Sequence, residues 1–191
     1  MTAPSTPPGD PRDELPGHLP ALRAFAMSLT RNSASADDLV QDTIVKAWSN
    51  IDKFQPGSNL RAWLFTILRN TFYSDLRKRR RELPDPDGLH AARLCVKPAH
   101  DGRLAMNDFL RAFDQLSPEH REVLVLVGAS GFAYEEAAQM MGVAVGTVKS
   151  RANRARARLA ELLHLEKGED ILVAADKAAL GVIGQSGIAA A

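Results

Sequence analysis

Side chains that grip phosphate are concentrated in two short stretches of this 191-residue chain. Arg77, Lys78, Arg79, Arg80 and Arg81 are consecutive, and residues 60–82 hold seven basic and two acidic residues, a local net of +5 in a chain whose total is +1. Residues 147–160 hold Lys149, Arg151, Arg154, Arg156 and Arg158 with no anion. Cations so clustered neutralise nucleic-acid phosphates, while a near-neutral total excludes a uniformly basic coat. Six of the eleven aromatics (Trp48, Phe54, Trp63, Phe65, Phe72, Tyr73) fall within residues 48–73, and flat side chains stack on unpaired bases. Trp48 and Trp63 read as core; Phe72 and Tyr73 are open to either use. The plainer accounts of the first basic run are a helix end complementing its dipole and a nuclear-localisation signal, but five adjacent cations repel one another and exceed the first need. Other chemistry has no residues to carry it. The five histidines (18, 90, 100, 120, 164) lack metal-ligand spacing, Cys95 is alone, and no phosphate-loop, dinucleotide or nucleophile-elbow motif occurs. No catalytic residue, metal or cofactor is expected.

The elements that must position these cations are helical. Extended alternation is scarce, so the expected fold is all-α, with two small helical domains joined by a flexible linker. Six prolines in the first twenty residues mark residues 1–14 as a disordered arm. A first domain follows over 15–81. Residues 82–103, with Pro84, Pro86, Pro98, Gly88 and Gly102, form the linker, with a short helix around Leu89–Leu94. The second domain spans 104–165, and 166–191 is an Ala- and Gly-rich tail, either disordered or holding a short docking helix over Ile171–Ile183. The longest uncharged run, Ala178–Ala191, is too short to span a bilayer. No signal peptide is visible, and a soluble cytoplasmic protein with no membrane partner is expected.

Four helices can be drawn in the first domain. In the second of them, capped by Ser35, Leu39, Thr43 and Ala47 with Val40, Ile44 and Trp48 supply the apolar stripe. Asp38, Gln41, Asp42 and Val45 lie opposite, either as a solvated acidic face or as a docking surface for a basic or polar partner helix. After a Pro56-Gly57 turn, a helix from Leu60 to Arg81 directs Leu60, Trp63, Leu64, Ile67, Leu68 and Thr71 to the core, and Arg61, Arg69 and Asn70 outward. In the second domain Ser117-Pro118 starts a helix that Gly128 and Gly131 break. Tyr134–Met141 is a short helix ended by Gly142, and a last helix begins near Val145–Thr147 and runs past Leu159. Helix, glycine turn, helix is the helix-turn-helix pattern. At about 100° per residue, Val148, Ala152, Ala155 and Leu159 fall on one narrow stripe of that last helix. Arg156 and Lys149 flank one side, Arg151, Arg154 and Arg158 the other, and Ser150, Asn153 and Ala157 face away. Small residues between two rows of cations suit a major groove, where the rows reach both phosphate strands. An ordinary Arg-rich surface helix is the alternative.

Three segments resemble, in order, those of bacterial sigma factors of the extracytoplasmic-function type. Asp37-Asp-Leu-Val-Gln-Asp-Thr-Ile-Val-Lys-Ala-Trp48 is similar to the segment that binds core polymerase. Asn59-Leu-Arg-Ala-Trp-Leu-Phe-Thr-Ile-Leu-Arg-Asn-Thr-Phe-Tyr73 and the basic run resemble the −10 recognition segment. Leu116-Ser-Pro-Glu-His-Arg-Glu-Val-Leu124 and Gly146-Thr-Val-Lys-Ser-Arg-Ala-Asn-Arg-Ala-Arg156 resemble the −35 module. Val127-Gly-Ala-Ser-Gly-Phe-Ala-Tyr-Glu-Glu-Ala-Ala138 is similar to the alphaproteobacterial general-stress-response subgroup. Ala133 departs from the family's usual Ser or Thr, a missing N-cap hydroxyl that typically costs about 1 kcal/mol. The resemblance implies a factor that joins core RNA polymerase and directs promoter-specific initiation. Asp38, Gln41 and Asp42 would meet the clamp helices, and the second domain would sit near the flap. Thr147, Lys149, Ser150, Arg151, Arg154 and Arg158 would hold the −35 element. Ser58, Asn59, Asn70, Tyr73, Arg77 and Lys78 would engage the −10 element, with a base extruded into the Gln55–Leu60 turn. It also implies a small helical anti-sigma partner released by a sigma-mimic response regulator; with no receiver segment before the sigma-like region, the chain itself is not expected to be that regulator. The 22-residue linker reaches at most about 70 Å. That spans two promoter elements on the order of 55 Å apart. A stand-alone helix-turn-helix regulator and a sigma mimic that titrates an anti-sigma factor remain as alternatives; neither needs a −10 surface.

Overall fold

A computed structural model describes residues 10–82 and 101–165, and all of the regular structure among them is helical. Helix α1 (Pro11–Thr30) starts where the Asp10 carboxylate accepts the Arg12 amide at 2.9 Å and a proline fills the first helical position. The helix therefore begins inside the residues read as an arm and runs on through Pro16 and Pro20. Each interior proline costs about 3 kcal/mol of helix propensity. Complete or near-complete burial of Leu15, Leu22, Phe25 and Leu29 offsets that at about 1.5–3 kcal/mol per side chain. Tertiary packing thus overrides the local signal.

Helix α2 (Ser33–Ser49) is capped by Asn32, whose Oδ1 accepts the Ser35 amide at 2.9 Å; Ser35, expected as the cap, is already in the first turn. A single 3₁₀ turn (Ile51–Lys53) follows. Helix α3 (Leu60–Glu82) opens on Asn59, whose Oδ1 accepts the Ala62 amide at 3.1 Å. The first unit is thus three helices and a short turn, where four helices were expected. Its core holds Leu22, Leu64 and Leu68 around the Phe25 and Phe65 rings, stacked 4.9 Å apart.

In the second unit, α4 (Asp101–Asp114) leads to α5 (Pro118–Val123), capped by the Ser117 hydroxyl as the sequence implies. The chain then widens into a π-helical turn over Leu124–Ala129, and Gly131 takes φ +70°, which only glycine adopts without strain. Helix α6 (Tyr134–Met141) forms despite Ala133: Glu136 reaches back to accept the Ala133 amide at 2.9 Å, one half of a capping box. Gly142, at φ +64°, ends it, and α7 (Val145–Leu162) follows. The α7 stripe is as the angular spacing requires: Val148, Ala152, Ala155 and Leu159 are fully buried.

The two units share one continuous hydrophobic core. The Phe132 ring meets Phe65 edge-on at 5.1 Å, with the Arg61 guanidinium 4.9 Å above it. Among the described residues no helix is long and apolar enough to cross a membrane. The expected helix near Leu89–Leu94, most of the arm and linker, and the tail segment Ile171–Ile183 lie outside the described residues.

Candidate DNA and polymerase interfaces

Helix α7 presents its cations as the sequence arranges them. Lys149, Arg154 and Arg158 are exposed, Thr147, Ser150 and Arg151 half-buried. The Lys149 ammonium lies 5.8 Å over the Tyr134 ring, and Arg156 donates to the Tyr134 hydroxyl at 3.3 Å. Tyr134 therefore holds this flank in place from α6. On the other flank Arg158 pairs with exposed Glu161 at 2.9 Å, a bond easily exchanged for phosphate. Ser150 donates to the Thr147 carbonyl at 3.0 Å, which keeps its hydroxyl tight against the helix. The outward centre, Asn153 and Ala157, is exposed and small. A small outward centre between two cationic rows has the shape that suits a major groove, with the rows in reach of the phosphate strands.

Helix α2 carries a second surface. Asp38, Gln41 and Asp42 are exposed on one face, and Val45 and Trp48 continue it at 57% and 55% exposure. Trp48 was expected in the core, and the structure overturns that. Counted at about 100° per residue, it stands roughly 140° from the centre of the Leu39–Thr43–Ala47 stripe, so the same arithmetic that places the α7 residues also places it outside. The Arg12 guanidinium rests 5.3 Å over its ring. Upstream, Arg23 grips Asp37 through two hydrogen bonds (2.7 and 3.3 Å) and Ser33 through a third. The Asp37 carboxyl is held below its ordinary range by that guanidinium. The acidic residues that remain open on this face are therefore Asp38 and Asp42.

The six −10 candidates do not share one open face. Asn70 lines a cleft of about 420 Å³ between α2 and α3, together with Lys46, Asn50, Lys53, Trp63 and Ser74. Two ammonium groups border it: Lys46 donates to Thr71 Oγ1 at 3.0 Å and Lys53 to Asn50 Oδ1 at 2.6 Å. The sequence reading missed these lysines, because their partners lie on the turn and on a helix 25 residues away. Half-buried Trp63 meets Phe54 at 5.4 Å between centroids and forms one wall. Such a cleft suits a planar base with its phosphate near the lysines. The Gln55–Leu60 turn, expected to hold the base, is not part of its lining; Ser58 is engaged within the turn, donating to the Gln55 carbonyl at 2.6 Å. Asn59 and Tyr73 are bonded to the second unit, Asn59 Nδ2 to Glu136 Oε1 at 3.1 Å and the Tyr73 hydroxyl to Glu122 Oε2 at 2.8 Å. Burial, then the Glu122 charge, raises the Tyr73 hydroxyl well above its ordinary value. Arg77 and Lys78 are exposed near the end of α3.

Two bonded residues had no sequence signal. Arg121 is 4% exposed and donates to four carbonyls: Ser28 (2.7 Å), Leu116 (2.9 Å), Asp114 (3.3 Å) and Leu29 (3.4 Å). It thereby covers unpaired carbonyls at the end of α1. Next to it Glu122 is fully buried and accepts from Arg69 Nε as well as Tyr73. Burial raises its carboxyl above the usual range, against the pull of Arg69.

A helix-turn-helix with an outward cationic helix, joined to a three-helix unit bearing an exposed acidic face and a lysine-lined cleft, defines a bipartite helical transcription factor of the sigma type. The family models agree: sigma-70 region 2 matches residues 17–82 and sigma-70 region 4 matches residues 106–159. The chain is 53% identical to the ECF RNA polymerase sigma factor EcfG of Rhodopseudomonas palustris, over 92% of this chain and 96% of the relative. Among solved structures it is similar to the sigma factor RpoE, in complex with the anti-sigma factor NepR, from Bartonella quintana. That match has a TM-score of 0.72 and 54% identity, over 82% of this chain and 98% of that one. It is also similar to CnrH in complex with the cytosolic domain of CnrY, with a TM-score of 0.53 and 32% identity, over 78% and 82%. The chain belongs to the extracytoplasmic-function RNA polymerase sigma factors, which direct core polymerase to promoters.

Proposed function

We propose that this sigma factor serves the general stress response, acts in the cytoplasm, and is held in check by a small helical anti-sigma partner. Its similarity to EcfG, and to a sigma factor solved with NepR, supports this reading. The division of labour we propose assigns residues 15–81 to the polymerase and the −10 element, 82–103 to a linker, and 104–165 to the −35 element. Asp38, Gln41 and Asp42 dock on the polymerase clamp, with Val45 and Trp48 as the apolar part of the same face. Thr147, Lys149, Ser150, Arg151, Arg154 and Arg158 read or grip the −35 element. Ser58, Asn59, Asn70, Tyr73, Arg77 and Lys78 engage the −10 strand, and the Lys46–Lys53 cleft takes an extruded base. No covalent step is required; binding free energy offsets unstacking.

The observation that carries this reading is α7, which buries only its four-residue stripe and turns its cations outward from a helix-turn-helix frame. The test is transcription in vitro from a promoter-fragment library, with purified core polymerase, with and without the protein. Discrete start sites that need the protein and vanish with Asp42→Arg are expected. Start sites unaffected by Asp42→Arg overturn the docking assignment. Tight DNA binding without start sites overturns the initiation role.

A further inference from the structure

Helices α1 and α2 pack on each other and run antiparallel, since only Arg31 and Asn32 separate them. Two arginines of α1 reach across to α2. Arg23 holds Asp37 and Ser33 near the start of α2. Arg12 lies eleven residues earlier, three turns and about 20° away, and so on the same face of α1. Its guanidinium rests 5.3 Å over the ring of Trp48, in the last turn of α2. The two contacts close the helix pair at opposite ends, and the second closes it on a residue of the docking face. Asp10 and Arg12 both precede residue 17, where the match to sigma-70 region 2 begins, so this clasp lies outside the segment that defines the family.

Arg12 is itself held. The Asp10 carboxylate accepts from the Arg12 amide at 2.9 Å and from Arg12 Nη1 at 3.1 Å. One acid therefore starts the helix and sets the side chain. It also balances the guanidinium charge, so the clasp does not offset the negative field of Asp38 and Asp42, which favours a basic partner surface. A guanidinium over an indole is attracted by the ring quadrupole. It covers one face of the ring and leaves the rest open, since Trp48 stays 55% exposed. Without the arginine, a side chain so exposed turns between rotamers in solvent. A partner that covers it must then stop that motion, and fixing one side chain at an interface costs a factor of about two to twelve in affinity.

We propose that Arg12, set by Asp10, is a positioning residue for the docking face: it holds the Trp48 indole in the orientation that core polymerase covers. The inference rests on the docking assignment above and adds a residue of α1 that acts through Trp48. Its contribution is to fix the ring before the encounter, so that binding does not have to.

The test uses the full chain, labelled at Cys95, its single cysteine, and titrated with purified core polymerase by fluorescence anisotropy. Wild type, Arg12→Ala, Trp48→Ala and the double variant form a cycle that isolates the coupling between the two residues. Arg12→Ala keeps the backbone amide that Asp10 caps, so α1 should be retained, and circular dichroism checks it. Affinity should fall about fivefold on Arg12→Ala in the wild-type background, and less than about twofold where Trp48 is already alanine. Arg12→Lys keeps a cation over the ring but loses the planar fork, and should lie between the two. It carries the same comparison if Arg12→Ala loses helix. With 5-fluorotryptophan incorporated, the fluorine resonance that Trp48→Ala removes should shift on Arg12→Ala in the free protein. Wild-type affinity in Arg12→Ala overturns the clasp. So does an equal loss in both backgrounds, which makes Arg12 a direct contact; either result leaves the docking assignment standing. Wild-type affinity in Trp48→Ala strikes the place of Trp48 on the docking face, and the clasp with it.

Discussion

Trp48→Ala separates two structures that the sequence permits. Had Trp48 been a core residue, its truncation would cost about 3–5 kcal/mol of stability. The structure leaves it 55% exposed beside Val45, on the face that carries Asp38, Gln41 and Asp42. Of roughly 250 Å² for a tryptophan side chain, about 140 Å² is then free. If the polymerase covers two-thirds of that area, the loss at about 25 cal/mol per Å² is about 2 kcal/mol of binding, or about 30-fold in affinity. Stability should fall by less than about 1 kcal/mol, the lost part being the contact with Arg12. The paired assay is urea unfolding of the free protein and fluorescence anisotropy of the labelled protein titrated with core polymerase. A stability loss of 3 kcal/mol, or polymerase affinity within twofold of wild type, refutes the reasoning.

Arg154→Ala should cost roughly 1–3 kcal/mol and relax preference at one −35 position if Arg154 contacts a base; a phosphate contact instead lowers affinity evenly across sequences and flattens the salt slope. Unchanged affinity and slope in filter binding removes it from the interface. Arg121→Met leaves four carbonyls without their buried cation. It should destabilise by about 3–5 kcal/mol in urea unfolding, with Arg121→Lys restoring little; a loss under 1 kcal/mol contradicts the role. The Glu122 carboxyl is raised above its ordinary value by burial, against the pull of Arg69 and Tyr73 from α3 and of Arg151 from α7. The folded chain thus holds this proton more tightly than the unfolded chain, so this group's contribution to stability in urea unfolding should grow as pH falls from neutrality and be lost as pH rises through the raised value. Glu122→Gln should flatten the profile; an unaltered profile in that variant places the titration elsewhere.

Helical faces were legible in the sequence wherever a stripe and its caps agree. The α7 stripe, the Ser117 cap, the Gly142 stop and the α6 boundaries all follow from spacing and turn chemistry. Trp48 was misassigned by residue type although its angle was available. The start of α1 was hidden because Pro16 and Pro20 signal a break locally, and only the burial of Leu22, Phe25 and Leu29 reverses it. Lys46 and Lys53 gain meaning only from a cleft walled by residues of α3. Asn32 was passed over as a cap because Ser35 lay closer to the first apolar residue.

Periodicity tells which face of a helix is apolar, but it does not tell what covers it. Arg121 reaches a carbonyl 93 residues back, Asn59 a carboxylate 77 residues on, and Arg69 one 53 residues on. Read locally, Arg121 and Glu122 are two ordinary helical charges in a short amphipathic segment, and nothing in their spacing marks them as buried. Burying adjacent opposite charges is costly unless every lone pair and proton finds a partner. Here Arg121 donates four hydrogen bonds to carbonyls and Glu122 accepts two, both from α3. Only the folded chain, which brings α1, α3 and α5 together, shows that these two charges are buried and paired.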